Sequence, residues 1–297
     1  MHHFKSTLPL KNGVAASFVN LPHGRGLLLD FLLERFPQTS AGLWQARMAR
    51  GEVVNQDGVV LCATSLCAGN RSIFYYREVE FEARIPFDEQ ILFRDAHLLV
   101  VDKPHFLPVT PAGEFLHETL LTRLRLSLNL EHISPIHRLD KDTAGVILFA
   151  IDPRHRGAYQ ALFAQHKVHK IYHALAPTRI DLNYPLTYSS RLVEDEAQFF
   201  KMRETSGAAN SSTRITLLAP RGDVSVYQLE PQTGKKHQLR AHMNALNMPI
   251  VNDAFYPVAH AFDAVDYSKP LQLLAKSIAF IDPITGEPRR FESPREL

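Results

Sequence analysis

Two long apolar runs stand out from an otherwise mixed chain. Leu98-Leu99-Val100-Val101 and Val146-Ile147-Leu148-Phe149-Ala150-Ile151 show no polar alternation, which predicts strands covered on both faces. The first runs into Asp102-Lys103-Pro104; the second follows a polar stretch over 137–143. Elsewhere the period changes. Leu28, Phe31, Leu32 and Phe36 fall at helical spacing, predicting a first helix over 26–36 that Pro37 stops. Leu43, Trp44, Arg47 and Met48 predict a second, capped by Thr39 or Ser40 and closed by Gly51. Val53-Val54-Asn55 and Val59-Val60-Leu61 flank Gln56-Asp57-Gly58, a hairpin signal. Leucines at helical spacing over 116–130 predict an amphipathic helix with Arg123 and Arg125 on its solvated face. Asp152 as cap and Pro153 as first residue open another, carrying Tyr159, Leu162 and Phe163. Val224 to Leu229 alternates like a half-buried strand, and 206–212 reads as a mobile loop.

Residues 81–90, with Pro86, have the character of a linker. The pattern thus divides the chain into a small N-terminal helix-helix-hairpin domain, 1–85, and a larger domain, 86–297. Composition changes this picture little: 297 residues, 45% hydrophobic and 22% charged, describe an ordinary globular protein. A net charge of +2 permits nucleic-acid binding without arguing for it, because the charge would have to be local. Cys62 and Cys67 stand alone, excluding a disulfide framework and a four-cysteine zinc site and pointing to a reduced cytoplasm. The first 18 residues lack a signal-peptide core, and no apolar segment has the length of a membrane span.

Candidate chemistry lies in three places. Asp140 sits in Pro135-Ile136-His137-Arg138-Leu139-Asp140-Lys141-Asp142-Thr143-Ala144-Gly145, just ahead of the second apolar run. A carboxylate among these cations is suited to act as nucleophile or base; it is equally suited to a loop salt bridge with Arg138. In Thr233-Gly234-Lys235-Lys236-His237-Gln238-Leu239-Arg240, the apolar positions 239, 243 and 246 share one helical face and leave Lys236 and Arg240 off it. Lysines at a helix start oppose its dipole unless an anion binds, solvation being the plain alternative. His166, His169 and His173 invite a metal reading, but the segment passes from helix to strand between them, so they diverge and no metal is expected. Tyr172 between them reads on its own as a core tyrosine.

His137-Arg138-Leu139-Asp140, with Thr143-Ala144-Gly145 and the apolar run after it, resembles the signature of the RluA-type pseudouridine synthases. Three further blocks match in the family's order: a strand ending in Lys103-Pro104, Lys170-Ile171-Tyr172-His173-Ala174, and the block from Thr233 to His242. Residues 247–253 and 273–280 resemble the remaining blocks. The resemblance implies an α/β (α+β) pseudouridine synthase fold: a mixed, largely antiparallel sheet with flanking helices and a central cleft. It implies isomerisation of uridine in structured RNA, ribosomal RNA first and transfer RNA second. It makes Asp140 the catalytic residue, Arg240 its partner and Tyr172 the residue packed near the base. His137, Arg138, Lys235, Lys236 and His237 become RNA contacts, with Arg138 filling the space of the flipped uridine. The N-terminal helices resemble a small ribosomal-protein-type RNA-binding module, which adds Arg47 and Arg50. The expected partner is RNA, with no cofactor, no membrane and a monomeric state. Two other classes compete: a non-catalytic RNA-binding or assembly protein with the same fold, and an aspartate-dependent hydrolase of nucleosides or glycosides. The first has no need of Asp140, Tyr172 and Arg240 together; the second usually needs a second carboxylate or a metal.

Overall fold

The computed structural model describes every residue except 1–5, 7, 23, 25, 68, 70, 199 and 260–264. The chain forms two units, Met1–Ala83 with Thr110–Glu131, and Arg84–Val109 with His132–Leu297.

In the first unit, strands β1 (Ser17–Asn20), β2 (Val53–Asn55) and β3 (Ser72–Tyr75) form an antiparallel sheet in the order β1-β3-β2. Helices α1 (Leu28–Arg35) and α2 (Ala41–Ala49) bury Leu28, Leu32, Trp44 and Met48 with Val53, Ile73 and Tyr75. Ser40 is the cap of α2: its Oγ accepts from the Leu43 N–H at 3.3 Å. The expected turn after β2 is present, with the Asn55 side chain accepting from the N–H groups of Asp57 and Val59 at 2.9 Å. The return segment folds back on β2, the Asn55 N–H donating to the Val59 carbonyl and the Leu61 N–H to the Val53 carbonyl at 2.9 Å, with an antiparallel bridge between Val54 and Val60. The expected hairpin is therefore formed, and the ladder partner of β2 in the three-stranded sheet is β3.

Arg47 is also corrected. Its side chain is 4% exposed and lies 3.4 Å from Glu78, with its guanidinium 4.9 Å from the centre of the Trp44 ring. The arginine completes the apolar face of α2 with its stem and a cation–π contact, so it presents no free charge to RNA. Arg50 is exposed but tied to Glu52 at 2.7 Å and Glu78 at 2.9 Å. Helix α3 (Leu120–Leu128), capped by Thr119, belongs to this unit. Arg125, expected on its solvated face, is half-buried and donates to the Gly13 carbonyl at 3.0 Å.

The second unit is built on one large sheet. Its strands are β4 (Gln90–Arg94), β5 (Leu98–Lys103), β6 (Ser134–Pro135), β7 (Ala144–Ala150), β8 (His169–Pro177), β9 (Leu186–Glu194), β10 (Met202–Thr205), β11 (Ser211–Arg221), β12 (Val224–Pro231), β13 (Leu273–Ile281) and β14 (Pro288–Glu292). The order is β10-β9-β11-β12-β8-β13-β7-β5-β4, with β14 beside β13 and β6 beside β7. Among the described residues only the β7–β13 pair is parallel. Both apolar runs read from the sequence become strands, β5 and β7, buried along their full length. The segment read as a loop over 206–212 connects β10 to β11 across β9, which lies between them, and its last residues, Ser211 and Ser212, already belong to β11, with Ser211 buried.

Two helices flank this sheet. Helix α4 (Arg156–Ala164) starts three residues later than expected, because Asp152 turns its carboxylate to the N–H and guanidinium of Arg154 rather than to a helix. Its Tyr159 is fully buried against Leu148, Ile278 and Phe280. Helix α5 (Gln238–Ala245) packs Leu239 and Met243 on Tyr227, Leu229 and Leu273. Both clusters include residues of β13, Leu273 in one and Ile278 with Phe280 in the other.

The parallel pair depends on one glycine. Gly145 has φ +108, and a Cβ there would sit 2.3 Å from the Ala275 carbonyl oxygen. Backbone strain and overlap with backbone act together, so Gly145→Ala is expected to destabilise the second unit by ~3 kcal/mol. A urea midpoint unchanged from wild type would contradict this.

Candidate active site

Asp140 lies on the loop between β6 and β7, and buried groups hold that loop from beneath. The Asp140 carbonyl accepts from the Thr143 N–H at 3.2 Å. Lys103, at the end of β5 and fully buried, donates through Nζ to the carbonyls of Pro104 (3.0 Å), Leu107 (2.8 Å) and Lys141 (2.8 Å). Burial pulls its pKa down to about 7. The three carbonyls nonetheless match the three N–H groups of an ammonium, which ties the loop to the end of the neighbouring strand. His105 Nδ1 meets the Asp142 carbonyl at 2.7 Å; as a carbonyl only accepts, Nδ1 carries the proton.

Helix α5 supplies the opposite wall. Gln238 fixes its first turn: its side-chain oxygen accepts from Thr233 Oγ1 (2.7 Å) and the Lys235 N–H (3.1 Å), and its Nε2 donates to the Ser212 carbonyl (2.9 Å) and Thr213 Oγ1 (3.0 Å). Two residues on, Arg240 points inward. Its Nε donates to Asp253 Oδ2 at 2.8 Å and its Nη2 to Asp253 Oδ1 at 2.6 Å, a two-point grip. The remaining nitrogen, Nη1, faces Asp140 Oδ2 at 3.5 Å. Burial opposes the arginine's charge, but the hydrogen bonds and charges of Asp253, with Asp140 and Asp142 adding to them, outweigh it and hold the pKa above its usual value.

Exposure separates the two carboxylates. The Asp253 side chain is 0% exposed and Arg240 1%, whereas Asp140 is 31% exposed. Only Asp140 is within reach of a substrate. His237, the residue before α5, has φ +50 and sets Nε2 3.8 Å from Asp140 Oδ2. Burial is the larger influence on it and lowers its pKa to about 4 despite Asp140, so the ring is neutral at pH 7. Its ring stacks on Phe255 at 5.5 Å, and Phe255 in turn lies 4.8 Å under the Arg240 guanidinium. Tyr172, on β8, has its phenol pKa raised by burial and by the charge of Asp140. The arrangement offers one reachable carboxylate backed by a buried cation, flanked by a neutral imidazole and a phenol. It suits attack on, or proton removal from, an uncharged sugar bearing a flat base. Asp253, sealed beneath Arg240, is in no position to be the second acid of a glycosidase pair.

Asp140, Arg240, Tyr172 and His237, chosen from the sequence, are thus brought together. Arg138, Lys235 and Lys236 are exposed. His137 is a correction: its Nε2 accepts from the Leu148 N–H at 3.2 Å and its ring stacks on Phe163 at 4.7 Å. Burial drives its pKa down to about 3, so it serves the packing of the loop on β7 rather than facing RNA. Asp253 and Lys103 are residues whose part sequence reasoning missed. For Lys103 a signal existed, a lysine closing an otherwise apolar strand. For Asp253 the signal was its place at the end of the family-like block 247–253.

Among the described residues no group of three or more His, Cys, Asp or Glu could hold a metal, and no helix is long and apolar enough to cross a membrane. His137, His237 and His242, with pKa values of about 3, about 4 and about 4, bear on acid stability. The unfolded chain protonates its histidines near pH 6.5 while the folded one does not, so stability is full above that pH and falls as pH drops toward 4. The loss expected at pH 5 is ~2 kcal/mol per histidine. Equal urea midpoints at pH 7.5 and pH 5 would contradict it.

Comparison with known proteins places this geometry. The family model for RNA pseudouridylate synthase matches residues 97–245. The tRNA pseudouridine synthase C of Vibrio parahaemolyticus is 30% identical over 226 residues, covering 68% of this chain and 88% of its own. The dual-specificity RNA pseudouridine synthase RluA of Vibrio vulnificus is 31% identical, covering 65% of this chain and 78% of its own. The solved structure of human RNA pseudouridylate synthase domain containing 1 superposes with a TM-score of 0.59 at 24% identity, over 72% of this chain and 86% of that one, and so shares the fold. The chain belongs to the RNA pseudouridylate synthases, in their RluA-type branch, isomerases that make pseudouridine in RNA.

Proposed function

We propose that Asp140 is the catalytic residue of this isomerase and that it acts on the ribose of a specific uridine in structured RNA. The observation that carries this reading is the pairing of a reachable Asp140 with Arg240, itself gripped by the buried Asp253. As a nucleophile, a carboxylate oxygen attacks C1′ and N1 leaves with the bonding pair. The uracil turns, C5 bonds to C1′, the carboxylate departs, and the proton on C5 is lost as N1 gains one. As a base, Asp140 removes the C2′ proton to give a glycal and returns it after C5 has joined C1′. Both routes conserve the atoms of uridine and need no redox partner.

Arg240 orients the carboxylate and stabilises its charge, and Tyr172 packs beside the extruded base. Arg138, exposed two residues before Asp140, takes the place the base leaves. Lys235, Lys236 and His237 lie on the same side as α5's first turn, where the lysines meet phosphates and His237 lines the cleft. One Vibrio relative is named for transfer RNA and the other for dual RNA specificity, so transfer RNA joins ribosomal RNA among the substrates to try first. The enzyme works without a cofactor, as a monomer, in the cytoplasm; both cysteines are free, as a reduced compartment requires.

The test is nucleotide-resolution mapping of pseudouridine in unmodified transfer RNA and ribosomal RNA transcripts after incubation with the purified protein. Conversion of one or a few defined uridines is the expected result. RNA that is bound but wholly unconverted would favour the non-catalytic reading.

A further inference from the structure

We propose that a groove in the second unit, formed by the ends of β8, β12, β13 and β14, binds the phosphates of an RNA strand running on from the target uridine, an inference that rests on the isomerase reading. The groove is a cavity of about 760 Å³ beside the C-terminal end of α4. Lys167, Lys170, Arg214 and Arg290 line it, over an apolar floor that includes Phe163 and Ile281.

Its charge is local and predominantly positive. The whole chain carries +2, yet these four cations face only Glu230 within the groove and Glu292, 3.8 Å from Arg290, at its rim. Glu230 is itself engaged by His169 at 3.1 Å and Gln228 at 3.0 Å. Arg289 also lines the groove but is held by Asp95, Asp282 and Glu287, so it is not counted. Lys167 and Arg214 are exposed and form no salt bridge among the described residues.

Lys170 makes the case for an anion. It is half-buried, its hydrogen bond is a 3.5 Å contact to the Thr233 carbonyl, and no carboxylate among the described residues pairs with it. Desolvating an ammonium without a counter-charge costs stability that a phosphate would restore.

Two connections join the groove to the site. Lys170 and Tyr172 are two residues apart on β8 and share one face, a separation of about 6.8 Å. Phe163 stacks on His137, the neighbour of Arg138 in the loop that carries Asp140. A polymer with a uridine at Asp140 therefore has a cationic path leading away from it. An open groove with a cationic wall and an aromatic and aliphatic floor matches a nucleic-acid strand, with phosphates on one side and bases on the other.

The variant to make is the triple Lys167→Gln, Arg214→Gln, Arg290→Gln, all at exposed positions. Binding is measured with a labelled uridine-rich single-stranded RNA over a range of salt concentrations, and turnover with unmodified transfer and ribosomal RNA transcripts. The expected result is a salt slope smaller by ~2, and a KM raised ~10-fold at unchanged kcat. Equal binding and equal slope in variant and wild type would overturn the proposal. So would a variant that binds RNA normally but loses affinity for polyglutamate, which would make the groove a site for an acidic protein segment. If wild type converts no uridine while binding still depends on these cations, the isomerase reading fails by itself and the groove stands as an RNA site.

Discussion

Asparagine in place of Asp140 should lower turnover by ~10³-fold or more, a barrier increase of ~4 kcal/mol, with little change in RNA binding or stability. The amide is isosteric and can still accept from Arg240, so the loop keeps its shape. What disappears is the charge that makes the group a nucleophile or a base. Stability is spared because Asp140 is partly exposed and its contact with Arg240 is long, 3.5 Å; such a pair contributes ~1 kcal/mol or less. Single-turnover kinetics together with a urea titration separate the two effects. A variant that keeps a tenth of the wild-type rate would remove Asp140 from the chemistry.

Truncation of Asp253 to alanine should have a different signature. Arg240 is 1% exposed, and both arms of its grip end on Asp253. Removing that carboxylate leaves a buried cation with Asp140 as its remaining close acidic partner, which costs ~3–5 kcal/mol. The guanidinium then swings toward Asp140 and holds it too tightly to react, so turnover falls along with stability. A second variant distinguishes the causes: Asp253→Leu combined with Arg240→Met removes the buried charge altogether. Its urea midpoint should recover most of the loss while turnover stays low. If Asp253→Ala alone is as stable and active as wild type, Arg240 does not depend on the grip.

The parts of this molecule that could be read from the sequence are those whose meaning is local. Val146 to Ala150 is apolar without a break, and a strand buried on both faces is the simplest way to satisfy such a run. Asp140 and Arg240 announce themselves through the blocks around them. The parts that were misread depend on partners distant in the chain. Arg47 reads as a basic helix residue until Trp44 and Glu78 enclose it. His137 belongs to the family block, yet the Leu148 amide claims its ring. Ser17–Asn20 and Ser72–Tyr75 are too short to stand out, and they become strands because each pairs with the other. Asp253 gains its importance from two distances to Arg240 that no spacing encodes.

The place of β13 in the sheet has a consequence for the order of manufacture. Leu273–Ile281 lies between β7 and β8, hydrogen-bonded to both. On one side of it is the part of the sheet that Asp140 leads into; on the other is the part against which α5 and Arg240 pack. Both parts leave the ribosome before the strand that joins them, and neither can complete the cleft alone. A growing chain therefore carries Asp140 and Arg240 for some time before they can face each other, and that meeting has to wait until residues 273–281 have been made.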